Sequence, residues 1–232
     1  MSCHPFTASN QSGQEAFFSW LDDGKRCVSY HEAGHAIANW LATMSINYIS
    51  IMDEAGYVNG EHYNQAKCLG MVSSQFREDF NLKRLQESKS GVVNRDGTVT
   101  PFIKYYADNI KKYAQREMLI SLAGPVSEVA YTGGNIFSSA CSFRHSSPGS
   151  DRAHFNEMLD LFCASHKEAN RDEMLHYMIK KTELCVTRHW DKIGKIANVL
   201  EHDYVIRGDR VATIIGFNTS DRVSLLFKSD DM

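Results

Sequence analysis

Tyr30-His31-Glu32-Ala33-Gly34-His35-Ala36 decides how this chain is read. It lies in a run from Arg26 to Met44 where apolar residues return at helical spacing: Cys27 and Val28, then Ala36, Ile37, Trp40 and Leu41, then Met44. That periodicity predicts a largely buried helix. Residues four apart share a helix face, so His31 and His35 can present two imidazoles to one metal ion. Glu32 is rotated by about 100° from His31, where its carboxylate reaches a water on such a metal rather than the metal itself. Zinc lowers the pKa of a bound water toward neutrality, and a glutamate so placed accepts its proton as general base. Ala33 and Gly34 let backbone or substrate approach the helix closely.

A pattern this short recurs by chance in roughly a few per cent of chains of this length. The plain alternative is a pair of ordinary histidines on a solvated face. Against it, the helix is strongly apolar, and unpaired imidazoles there are costly. A strand candidate, Ile46 to Met52, follows the helix, as in many zinc peptidases. Residues able to supply a third ligand lie downstream. Catalytic zinc keeps three protein ligands and one open position. Asp151, in Pro148-Gly149-Ser150-Asp151-Arg152-Ala153, stands at a predicted helix start after a Gly- and Ser-rich loop. It serves either as that ligand or as a favourable first-turn acid. Glu128 is its rival, an acid in an otherwise apolar helix, and also suits hydrogen bonding to a ligand histidine or closing a buried polar network. His145 and His154 are weaker candidates, His154 one turn from Asp151.

Outward from the motif, residues 1–13 read as a polar lead-in. Asp53-Glu54-Ala55-Gly56 supplies turn chemistry, and Cys68 to Ser73 suggests a second short strand. Arg77 to Thr100 is polar, with turn signals at Gly91 and Asp96-Gly97, and is expected to be a mobile insertion. Tyr105 to Tyr131 predicts a long helix with a kink or break at Gly124-Pro125. Ser150 is a suitable N-cap for a helix through Phe155, Met158, Leu159 and Phe162. Glu173 to His202 reads as one long helical region, and Asp209 to Ile215 as a short helix. The expected domain spans residues 14–216, its helical C-terminal part beginning near residue 150, with a loose tail over 217–232. The fold class is mainly α with a small β-sheet (α+β).

The 232 residues carry a formal charge of −3, 43% hydrophobic and 23% charged residues, an ordinary globular balance. No basic stripe points to nucleic acid. No apolar run reaches the length of a membrane span, and the first residues lack a secretory pattern; a cytoplasmic location is expected. The six cysteines are scattered with no Cys-x-x-Cys pair, so thiols in or near the core are expected rather than a zinc ribbon.

Tyr30 to Ala36 resembles the metal-binding helix of the FtsH-type ATP-dependent zinc metalloproteases. The likeness continues in order. Ile46 to Met52 is similar to the strand after that helix, and Leu69-Gly70-Met71 to the Leu-Gly-aromatic segment that follows. Ser121-Leu122-Ala123-Gly124-Pro125-Val126-Ser127-Glu128 resembles the Leu-Ala-Gly-Arg-Ala-Ala-Glu helix. Gly149-Ser150-Asp151-Arg152-Ala153 resembles the segment bearing the third zinc ligand, and residues around His189-Trp190 and Ile193 to Leu200 the closing helices. The likeness covers about residues 25–215, closest at the first motif. It implies one zinc on His31, His35 and Asp151, Glu32 as the catalytic base, and a zincin-like helix and sheet followed by a C-terminal helical bundle. Pro125 stands where the family has Arg, and the loop from Thr132 to Pro148 is long. No phosphate-binding Gly-x-x-x-x-Gly-Lys-Ser/Thr loop occurs in the sequence, so no ATP site is expected on this chain.

The function these readings imply is an ATP-independent zinc endopeptidase acting on unfolded chains or peptides, with substrate laid along Ile46 to Met52 by edge pairing. Nothing in the sequence fixes a residue to stabilise the oxyanion; His145 and Arg152 are the candidates. The alternatives are a non-catalytic metal-binding interaction module and a zinc hydrolase of another substrate. A polypeptide is the expected partner. The family works as hexameric rings, which leaves a homo-oligomer open.

Overall fold

A computed structural model describes residues 11–42, 45–53, 70–75, 92–133, 136 and 149–216. Helix α1 (Gln11–Leu41) leads into strand β1 (Ser45–Ile51), then β2 (Gly70–Gln75) and a small hairpin of β3 (Val92–Val93) and β4 (Val99–Thr100). Helices α2 (Phe102–Tyr105), α3 (Ala107–Thr132), α4 (Asp151–Ser165), α5 (Arg171–Arg188) and α6 (Trp190–Asp203) follow, then β5 (Val205–Arg207) and α7 (Gly208–Ile215). The protein is mainly helical with a small three-stranded antiparallel sheet, an α+β arrangement.

The centre of the molecule is the C-terminal half of α1, buried from Glu32 to Ala42. It packs on α3 and α6 and lies against β1. Ile37, Leu41, Ile49, Met118, Leu122, Phe155, Met158, Leu159, Ile193, Ile196 and Leu200 join in one apolar cluster. Burying a side chain of this size contributes about 1.5–3 kcal/mol, so the helix with the motif is among the least free to move. Two features fix how α1 meets its neighbours. Gly34 allows near-contact of backbones, since a carbon added there would lie 2.3 Å from Ser127 Oγ and 2.4 Å from the Ala123 carbonyl. Tyr30 stacks between Tyr131 of α3 and Trp190 of α6, at centroid distances of 4.4 and 5.1 Å.

The sheet has the order β2-β1-β5. Residues Ser45 to Ile51 pair with β2, and Tyr48 to Ser50 pair with β5 on the other side. β1 is therefore central, with both edges taken. Tyr204 takes a left-handed conformation (φ 56°) that ends α6, and its carbonyl accepts from the Ile51 N–H at 2.9 Å. This tight reversal brings β5 onto β1.

Several elements differ from the sequence expectation. α1 begins at Gln11, well before the apolar repeat. Phe17, Phe18, Trp20 and Leu21 recur at helical spacing in this added stretch, a signal that the reading from Arg26 onward left out. α3 runs unbroken through Pro125. Residues Ser121 to Val126 are all buried, and their packing against α1 outweighs the one backbone bond that proline removes. The region from Glu173 to His202 is two helices, broken at His189, whose N–H reaches back to the carbonyls of Cys185 and Val186. Within the polar stretch, residues 92–100 form a hairpin whose turn places Gly97 at φ +81°. Cys27, Cys163 and Cys185 are thiols, and burial pushes the Cys185 pKa up to about 11. The lead-in over residues 1–10, the turn at 54–56, the start of the second strand at 68–69, the insertion over 77–91, the loop over 137–148 and the tail over 217–232 lie outside the described residues. No helix among the described residues is long and apolar enough to cross a membrane.

Candidate metal centre

Three elements converge at the motif. α1 presents His31, Glu32 and His35, α3 passes alongside, and α4 brings Asp151 in its first turn. Ser150 caps α4 by accepting from the Ala153 N–H at 3.2 Å, which makes Asp151 the first residue of the helix.

The orientation of both imidazoles is fixed through their Nδ1 atoms. His31 Nδ1 donates to Glu128 Oε2 at 3.1 Å, and His35 Nδ1 donates to the Ile120 carbonyl at 2.8 Å. With a proton held at each Nδ1, the neutral form of either imidazole offers its Nε2 lone pair to a metal. Those two atoms face each other at 3.0 Å. Asp151 closes the triangle, its Oδ2 3.1 Å from His31 Nε2 and its Oδ1 3.4 Å from His35 Nε2. Tetrahedral zinc with bonds of about 2.0–2.1 Å holds its ligand atoms roughly 3.3 Å apart. The Nε2–Nε2 separation is close to that edge length, one ligand atom from each of the three residues lies within 4.8 Å of the others, and two Nε2 atoms this near require a shared cation or proton between them.

Gly124 makes the space. A carbon added there would lie 2.4 Å from His35 Nε2 and 2.7 Å from His31 Nε2. Gly70, at the start of β2, plays the same part for Glu32: an added carbon would fall 2.5 Å from its Cγ and 2.6 Å from Oε1. Asn39, one turn beyond His35, donates to the His35 carbonyl at 2.8 Å and accepts from Ser74 Oγ of β2 at 2.9 Å. β2 is thus held against α1 at both ends, beside the acid and beyond the second histidine.

The charge balance suits a cation. Burial opposes the charged form of His31, but Asp151 and Glu128 outweigh it and hold its pKa well above the ordinary value. His35 is raised likewise, burial being outweighed chiefly by Asp151. Burial also works against the Asp151 carboxylate, yet His35 and His31 keep its pKa far below the usual range. Glu32 is 6% exposed, and burial pushes its pKa up against the pull of His31 and His35. Three acids, Glu32, Glu128 and Asp151, surround two imidazoles, an excess of negative charge that a divalent cation would offset in large part.

His31, His35 and Asp151 therefore form a group at metal-binding distance. Of the two acids open at the sequence level, Asp151 reaches the Nε2 side and Glu128 the Nδ1 side. His154 does not join the group; its Nε2 faces Glu117 Oε2 at 3.3 Å. Arg152 lies half-buried on the first turn of α4, and His145 is outside the described residues. Gly124, the Ile120 carbonyl and Gly70 were not legible as site residues. Only Gly70 left a signal, a glycine in a strand, which often marks close approach of another group. No protein-family model matches the chain, and no curated protein matches it.

Proposed function

We propose that this chain is a zinc-dependent endopeptidase that cleaves unfolded or flexible polypeptides without using ATP on the same chain. The observation that carries the reading is the convergence of both histidine Nε2 atoms and Asp151 on one point, with buried Glu32 beside them. Bound there, zinc would supply an acidified water and an electrophile for the scissile carbonyl. His31, His35 and Asp151 would hold it, and three protein ligands leave one position open. The soft-to-borderline imidazoles with a single carboxylate favour zinc over magnesium or calcium, which take mostly oxygen ligands.

Glu32 takes the proton from the attacking water as the new C–O bond forms, and returns it to the amine nitrogen as the C–N bond breaks. Its raised pKa brings it nearer the pH at which it must both accept and give. β1 cannot dock a substrate strand, because β2 and β5 occupy its two edges. Among the described residues the outer edge of β2 has no partner strand, and Gly70 places that strand against Glu32. An extended peptide paired there would gain main-chain hydrogen bonds independent of its sequence, which fits a preference for unfolded chains.

Purified protein should hold about one zinc per chain and degrade an unfolded protein such as casein without ATP. Glu32→Gln should keep the zinc and lose cleavage. Equal cleavage by both proteins would sink the mechanism; zinc binding with no cleavage by either would favour a metal-binding interaction module.

A further inference from the structure

Four positions of α3 face the metal centre and its supports: Glu117, Ile120, Gly124 and Glu128. Their spacing places them along one helical stripe. Three have parts already described: Ile120 and Glu128 orient the histidines, and Gly124 leaves them room. Glu117 touches neither histidine. Its Oε2 meets His154 Nε2 at 3.3 Å, and its Oε1 meets Arg116 at 3.3 Å. His154 sits one turn after Asp151 on α4, and its Nδ1 is 3.9 Å from Glu157 of its own helix. Glu117 is largely covered, with 15% of its side chain exposed against 42% for His154.

We propose that Glu117 and His154 are positioning residues for the third metal ligand, pinning the first turn of α4 to α3 so that Asp151 stays on the metal. The inference rests on the metal reading above but not on catalysis. The physical reason is local. His31 and His35 lie four apart on one rigid, buried helix, so their geometry is fixed when α1 folds. Asp151 comes from a separate helix, and its placement depends on how α4 docks. Among the described residues, Phe155, Met158, Leu159 and Phe162 bury the apolar side of α4. Apolar packing tolerates small slides along a groove, whereas a carboxylate–imidazole hydrogen bond is directional. A displacement of about 1 Å at the first turn is enough to spoil a constellation of this kind. The Glu117–His154 contact acts at that turn, on the same template helix that orients both histidines.

The test is the zinc affinity of the full chain, read by competition with a chromogenic chelator. His154→Ala and Glu117→Ala should each weaken zinc about tenfold, the lower end of the range for outer partners of metal ligands. The double variant should lose no more than either single one, because both remove the same contact. His154→Gln, which keeps an N–H donor at the position of Nε2, should recover most of the affinity; a purely packing role for the ring would not be rescued so. Alanine suits both helices, so folding of the metal-free variants, followed by circular dichroism, should persist. Wild-type affinity in both single variants, or losses that add in the double variant, would overturn the inference while leaving the metal reading intact. Wild-type protein that takes up no zinc would overturn both.

Discussion

The Cα of Gly124 lies so close to His35 that a methyl group on it would come within 2.4 Å of the imidazole Nε2. The same methyl would sit 2.7 Å from Nε2 of His31, at the ends of both rings where they meet Asp151. Alanine is ordinarily the better helix residue by about 1 kcal/mol, so Gly124→Ala should leave α3 helical. The rings cannot retreat easily, because their Nδ1 atoms are tied to Ile120 and Glu128. Zinc affinity should fall more than a hundredfold with unchanged far-ultraviolet circular dichroism. Retention of stoichiometric zinc by this variant would show that the metal does not sit between the two rings.

Asp151 and Glu128 give separable predictions because they contact opposite sides of His31. Asp151→Ala removes an atom from the ligand triangle and should reduce bound zinc below detection after dialysis. Glu128→Gln keeps the shape but lessens the hold on the Nδ1 proton, and should weaken zinc by about 10–100-fold while leaving one metal per chain at saturation. Atomic absorption on dialysed protein, with chelator competition for the second variant, distinguishes them. The reverse order would exchange their roles.

How much of this was visible in the sequence depends on the range of the interaction. Two histidines four apart on an apolar helix and a serine before Asp151 are local patterns, and their helices form as the periodicity and the cap predict. Asp151 was one of two acids, with Glu128, that the residues themselves left open as third ligand, and the resemblance then named it. What stayed hidden is set by tertiary contact. β5 is three residues long and reaches β1 only through the reversal at Tyr204, so nothing in Ile46 to Met52 signalled that both its edges would be covered. The helix break at His189 carries neither glycine nor proline. Pro125, the strongest local breaker in the chain, was overruled by burial on α1.

The Glu117–His154 contact also predicts a pH dependence in the metal-free protein. His154 has its pKa raised above 6.5, first by the hydrogen bond to Glu117 and further by the charges of Glu117, Glu157 and Asp151, against the effect of burial. A histidine whose folded pKa exceeds its unfolded value stabilises the fold fully below the unfolded pKa, and that contribution fades as pH rises through the folded one. The stability difference between wild type and His154→Ala, from urea midpoints, should therefore be largest below pH 6.5 and shrink at higher pH. Taking the difference removes the titration of groups common to both proteins. A gap that stays constant from pH 6 to 9 (roughly the span over which a raised histidine titrates) would mean that the charge on His154 does not contribute.

Gly70 links the docking strand to the chemistry. Its backbone lies against Glu32, with no room for a side-chain carbon beside Cγ and Oε1. Gly70→Ala must push either the carboxylate or the end of β2 away, and the carboxylate is the freer of the two, since β2 is also anchored by Ser74 on Asn39 and by its pairing with β1. The three atoms nearest the added methyl all belong to Glu32 rather than to a metal ligand. Zinc content should stay at wild-type level while the turnover number on an unfolded substrate drops at least tenfold, about 1.4 kcal/mol of barrier. Loosening the far anchor instead, by Asn39→Leu, frees the strand without touching Glu32, and should act mainly on KM. If Gly70→Ala cleaves as fast as wild type, either Glu32 has another position from which to work or it is not the base.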